Sequence, residues 1–150
     1  MKMLEVFGST PVYGISGYAF MLNRNSPLIS WKSRKQNTVA LSSCEAEYIA
    51  ITASVQECMF LRQLLFDMTK LDKVLGMLYV DNQGAIELAK NPRHHQRTKH
   101  IDIRFHFIRL EIKHKTVILE YVPSILNIAD IFTKPFNGAK LNHFKFIFGV

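Results

Sequence analysis

The chain has 150 residues, 48% of them apolar, and a formal net charge of +7. One domain follows from that length, able to bury roughly two thirds of its unfolded surface without cross-links, and the basic balance favours a polyanionic partner, nucleic acid first. Cys44 and Cys58 lie within one expected helix, no CxxC or secretory signal is present, and no apolar run approaches the roughly 20 residues of a bilayer span. The expectation is a reduced, intracellular, soluble protein without a membrane partner.

Residues 1 to 16 carry weak signals. Met3-Leu4-Glu5-Val6-Phe7 reads as a short strand, and Gly8-Ser9-Thr10-Pro11 as a turn or loop. From Gly17 the pattern sharpens. Tyr18 to Leu22 and Leu28 to Trp31 are β-prone segments joined by Asn23-Arg24-Asn25-Ser26-Pro27, a hairpin by its turn residues. Lys32-Ser33-Arg34-Lys35-Gln36 then makes a basic exit from the second strand. It is either a solvated strand end or a nucleic-acid contact through Lys32, Arg34 and Lys35.

A helix is expected to start at Ser42 or Ser43, with Ser42 and Glu45 as a capping box, and to run to about Met68. At 100° per residue Glu47 shares a face with Ile51, Val55, Cys58, Leu61 and Leu65, whereas Glu45 falls among Thr52, Gln56 and Gln63. A carboxylate at the head of a core-facing stripe must be paired, protonated or bound to a cation. Glu47 is therefore either a site residue or a rim acid paired with a surface Lys or Arg.

After a linker at residues 69 to 73, Leu78-Tyr79-Val80 stops at Asp81 and a helical pattern begins at once, running to about Lys90. Asp81 thus ends a strand, at the sheet edge where ligands gather in open α/β sheets. The alternative is that Asp81 or Asn82 caps the helix. Arg93-His94-His95-Gln96-Arg97-Thr98-Lys99-His100 lacks the cysteine or acid that would complete a zinc site; Arg97, Lys99 and Arg104 suit phosphate contact instead. A helix from Ile101 to about His114 and a strand from Val117 to Val122 follow. Asn127-Ile128-Ala129-Asp130 opens a short helix, either as a capping pair or with Asp130 as a site acid. The Phe-rich tail is expected to dock one apolar face.

Three acids stand out: Glu47, Asp81 and Asp130. Phosphodiester hydrolysis needs a nucleophilic water and stabilisation of charge on the phosphate and leaving oxygen, and two divalent cations held by clustered carboxylates supply both. Mg²⁺ favours such oxygen ligands. The three acids are expected to meet at one spot able to hold magnesium.

Gly17-Tyr18-Ala19-Phe20, Ile29-Ser30-Trp31-Lys32-Ser33-Arg34-Lys35-Gln36, Leu41-Ser42-Ser43-Cys44-Glu45-Ala46-Glu47-Tyr48, Tyr79-Val80-Asp81-Asn82-Gln83, Arg97-Thr98-Lys99-His100-Ile101-Asp102 and Ala129-Asp130-Ile131-Phe132-Thr133-Lys134-Pro135 occur in collinear order. Together they closely resemble the ribonuclease H domain at the end of the Pol polyprotein of copia-type LTR retrotransposons. The resemblance implies a ribonuclease H-like α/β fold, a mixed sheet flanked by helices, with residues 1–16 as a divergent first-strand region, 17–137 as the domain and 138–150 as an apolar tail. It implies endonucleolytic cleavage of the RNA strand of RNA–DNA hybrids, two Mg²⁺ or Mn²⁺ ions, and a neighbouring reverse transcriptase domain in the same polyprotein. The implied location is a cytoplasmic virus-like particle or the nucleus. Glu47, Asp81 and Asp130 fall on the second, third and fourth members of the family's Asp, Glu, Asp, Asp set. The first has no counterpart, since no Asp precedes Asp67, so the first strand is expected to be truncated or replaced and the copy weak or inactive. The alternative is a non-catalytic basic nucleic-acid-binding module.

Overall fold

In the computed structural model the described residues are 2–9, 14–23, 25–37, 40, 42–71, 74–91, 99–133, 135, 138, 142 and 144–145. Five strands form one sheet: β1 (Lys2–Ser9), β2 (Ile15–Met21), β3 (Leu28–Lys35), β4 (Val74–Val80) and β5 (Val117–Tyr121), in the order β3-β2-β1-β4-β5. The β1–β2–β3 meander is antiparallel, while β4 runs parallel to β1 and β5 parallel to β4. The parallel pairings require crossovers. These are supplied by α1 (Ser43–Thr69), and by α2 (Gln83–Lys90) with α3 (Lys99–Lys113).

Helix α1 starts where its cap allows: the Ser42 hydroxyl accepts from the Glu45 N–H at 3.1 Å. It ends on Lys70 in the left-handed region (φ 54°), whose N–H bonds back to Phe66 O. Ile51, Val55, Cys58 and Leu61 bury its stripe against Leu4, Val6, Leu78 and Val80 of the sheet. Thr52, expected on the polar face, is buried and returns its hydroxyl to Tyr48 O at 2.8 Å. By length and mean hydropathy α1 passes as a bilayer span, which the run-length expectation missed, yet this stripe is spent on the sheet. The opposite face of the sheet carries a second apolar cluster, in which Phe7, Met77 and Tyr79 meet Ile128, Ala129 and Phe144. The expected docking of the tail is realised at Phe144; most of residues 134–150 lie outside the described residues.

One strand expectation changes and another is extended. The basic stretch is not an exit from β3: Lys32 to Lys35 continue the strand, paired with residues 15–18 of β2. An edge strand can run on through charged residues because solvent covers its outer side. The short first strand expected at Met3–Phe7 is present and longer, running from Lys2 to Ser9. Eight residues of β1 occupy the centre of the sheet, hydrogen-bonded on both sides.

Candidate functional site at the carboxyl edge of the sheet

Each acid is positioned by a different local device. Helix α1 lies over β1 so that Gly8 faces Ser54 while Gly76, beside Leu4, faces Cys58. The helix therefore descends from the carboxyl edge of β1 towards its amino edge. Glu47, two turns above Ser54, lies at that carboxyl edge and is only 3% exposed, whereas Glu45 is half-buried. Asp81 is the first residue past β4, half-buried, and the cap of α2 is its neighbour: the Asn82 side chain accepts from the Ala85 N–H at 3.0 Å. Capping thus leaves Asp81 free of that duty.

Asp130 lies in the short 3-10 helix Ile128–Phe132 and is 2% exposed. Asn127 sets this helix in place twice over. Its Oδ1 accepts from the Ala129 N–H at 3.1 Å, and its Nδ2 donates to Gly8 O at 3.0 Å, tying the helix to the carboxyl end of β1. Gly17 lets the helix come down onto β2, because a Cβ there would lie 2.6 Å from Thr133 Cγ2 and 3.1 Å from Ala129 O. The Ser33 hydroxyl adds a bond to Phe132 O.

The fold therefore delivers Glu47, Asp81 and Asp130 to one edge of the sheet. They do not close into an ion cage: among the described residues no group of three or more His, Cys, Asp or Glu could hold a metal ion. The expected meeting point for magnesium is not a formed site among the described residues. The register locates the shortfall. Gly8 pairs with Val80, the last pair of the register, and the residues that follow them in the chain are Ser9 and Asp81. Residue 9, on the central strand beside an acid, is a serine. Glu5 does not replace it. Strand alternation puts Glu5 with Phe7 on the face away from α1, buried at 6% and paired in register with Met21 and Met77. It also lies four residues down the strand from Ser9, roughly 13 Å.

The cations separate into two sets. Lys32, Arg34 and Lys35 of β3 and Arg104 of α3 line one groove of about 340 Å³ along the flank of α1. Arg97 lies outside the described residues, and Lys99 is described only as the first residue of α3. The sequence reading missed Glu57, which lines the same groove with both oxygens engaged, by the Ser30 hydroxyl at 2.8 Å and the Tyr18 hydroxyl at 3.3 Å. Burial, reinforced by the Glu57 charge, pushes the Tyr18 hydroxyl up to about 12. No local sequence signal pairs residues 18 and 57. Gln36 fastens the groove's upper end, its Nε2 donating to Ser16 Oγ at 2.7 Å and to Ala46 O at 2.9 Å.

No known protein-family profile matches the chain. It is 40% identical over 119 residues, 79% of its length, to the retrovirus-related Pol polyprotein from transposon TNT 1-94 of Nicotiana tabacum. The chain spans about a tenth of the length of the curated relatives it matches. Among solved structures it is similar to the N-terminal ribonuclease H domain of a Mycobacterium tuberculosis protein, with TM-score 0.61 at 15% identity, covering 95% of this chain and 99% of that one. It is also similar to a ribonuclease H crystallised in complex with an RNA/DNA hybrid, with TM-score 0.60 at 12% identity, covering 88% and 93%.

Proposed function

We propose that this chain, whose relatives over most of its length are retrovirus-related Pol polyproteins from transposons and whose fold is that of ribonuclease H, is a retrotransposon ribonuclease H domain with a deficient active site. By descent it cleaves the RNA strand of RNA–DNA hybrids made by a reverse transcriptase domain of the same polyprotein. It works inside the cell, in a cytoplasmic particle or the nucleus. Glu47, Asp81 and Asp130 are the surviving members of its acidic set.

One observation carries the deficiency. The central-strand position beside Asp81 is Ser9, and the described acids form no metal-holding group. Two-ion phosphodiester hydrolysis draws most of its acceleration from cations fixed where charge develops. A carboxylate missing from that central-strand position removes a ligand that such ions would share, so the divalent centre, Mg²⁺ or Mn²⁺, is impaired and no hydrolytic step is assigned to it.

A second reading, a basic nucleic-acid-binding module without turnover, is favoured by the groove cations. The test is incubation with an end-labelled RNA–DNA hybrid and Mg²⁺ or Mn²⁺ beside an Asp81→Asn control. Slow or absent cleavage is the expected result; robust cleavage that the control abolishes would overturn the deficiency.

A further inference from the structure

We infer that the outer face of the last three turns of α1 is an interface between two copies of this chain. The inference stands apart from the nuclease reading. Helix α1 is apolar on two sides: one stripe is spent on the sheet, and a second faces outward. A helix that is apolar all round is ordinarily buried all round. Phe60, Leu64 and Met68, each one turn from the next, form an outer ridge, with Phe60 60% and Met68 73% exposed. Beside that ridge, Met59, Arg62, Gln63 and Phe66 stand at i, i+3, i+4 and i+7, the neighbouring positions that make a hole for one side chain of a facing helix. These four rim a hollow of about 270 Å³, lined also by Val74 and by Glu111 of α3.

Shape, charge and area name the occupant. A ridge and a hole side by side are self-complementary, because under two-fold symmetry the ridge of each copy enters the hole of the other. The polar strip between them is prepared for burial: Gln63 Nε2 donates to Asp67 Oδ1 at 3.1 Å. The chain's excess of +7 lies elsewhere, since from residue 57 to 71 two acids, Glu57 and Asp67, balance two bases, Arg62 and Lys70. A second copy is therefore not repelled here, and Asp67 beside the ridge is opposite in sign to Arg62 in the hole. Met59, Phe66 and Leu71 add side chains 37 to 39% exposed. At about 200 Å² for a large side chain, these three and the ridge offer about 600 Å² per copy. Two copies together bury about 1,200 Å², the lower end of specific interfaces, so the pair is reversible.

The experiment is sedimentation equilibrium of the purified chain, free of nucleic acid. The average mass is expected to climb from one chain towards two as concentration rises from about 5 to about 500 µM, the range for an interface of this size. Phe60→Glu/Leu64→Glu should weaken the pair about 30-fold or more, as loss of a central aromatic anchor does. Its urea melt at a concentration where wild type is monomeric should match wild type, because both side chains are exposed in the single copy. Ile125→Glu, which puts the same charge on a 68% exposed side chain of the turn Ser124–Leu126, should leave the mass curve unchanged. A wild type that stays monomeric throughout would overturn the inference and leave the ridge to a different partner. A dimer that the ridge variant leaves intact, or that Ile125→Glu weakens equally, would overturn the assignment to this face.

Discussion

Asn127 is the residue through which the candidate site and the fold meet, and its replacement has a cost that can be worked out. It is 1% exposed, caps the helix bearing Asp130 through Ala129 N–H, and donates to Gly8 O across 119 residues of chain. In Asn127→Ala the lost cap costs about 1 kcal/mol. The buried Gly8 carbonyl, left without that donor, costs about 1 to 3 kcal/mol more. The sum is about 2 to 4 kcal/mol, which at a urea m-value of about 2 kcal/mol/M lowers the midpoint by about 1 to 2 M with the slope unchanged. Asn127→Ser keeps a hydroxyl that can cap but is too short to repeat the bond to Gly8, so its midpoint should fall between wild type and Asn127→Ala. Urea unfolding followed by circular dichroism measures all three. An alanine variant within about 0.5 kcal/mol of wild type would refute the role of Asn127 as a strut, since typical exposed substitutions fall in that range.

Further outcomes follow from the packing and the titrating groups. Gly76→Ala should cost about 1 to 3 kcal/mol, because its Cβ would run into Cys58 Sγ and press on Val117; adding Cys58→Ala should cost less than the two singles together, which a double-mutant cycle in urea would show. The Cys58 thiol is pushed from 9.0 up to about 12 by burial, and the Tyr18 hydroxyl from 10.0 to about 12 by burial and Glu57. Both groups stabilise the fold below their unfolded values, so stability should hold to about pH 9 and fall as pH rises towards 12; urea midpoints between pH 8 and 11 test the sign. Cys44, half-buried, should react with a thiol reagent in the native state while Cys58 waits for unfolding, a difference that timed mass spectrometry resolves. Tyr18→Phe should cost about 0.5 to 1.5 kcal/mol, the range for one hydrogen bond, measured by the same melts.

The helices were legible because their signals are local. Ser42 and Asn82 are caps at the positions the sequence marks, and the single rotation angle separating Glu45 from Glu47 foretold which of them is buried. The strands were less so. β1 is buried on both faces, so it lacks the alternation that marks a half-exposed strand, and Glu5 breaks the apolar run that would otherwise mark a central one. β3 ended too early in the reading because Lys32 to Lys35 look like a loop, although at a sheet edge charged residues are compatible with pairing. The site was half legible for the same reason. Glu47 and Asp81 announce themselves through helix face and strand end, but that Ser9 is the residue beside Asp81 is a property of β1–β4 register, and the bonds of Asn127 and Glu57 join segments that no local pattern connects.

Ser9→Asp tests most directly whether the sheet edge is one carboxylate short. Cleavage of an end-labelled RNA–DNA hybrid in Mn²⁺ should rise well above wild type in this variant and vanish again in Ser9→Asp/Asp81→Asn. A Ser9→Asp protein that melts cooperatively and binds hybrid yet cleaves no faster than wild type would contradict the claim that the edge is one carboxylate short.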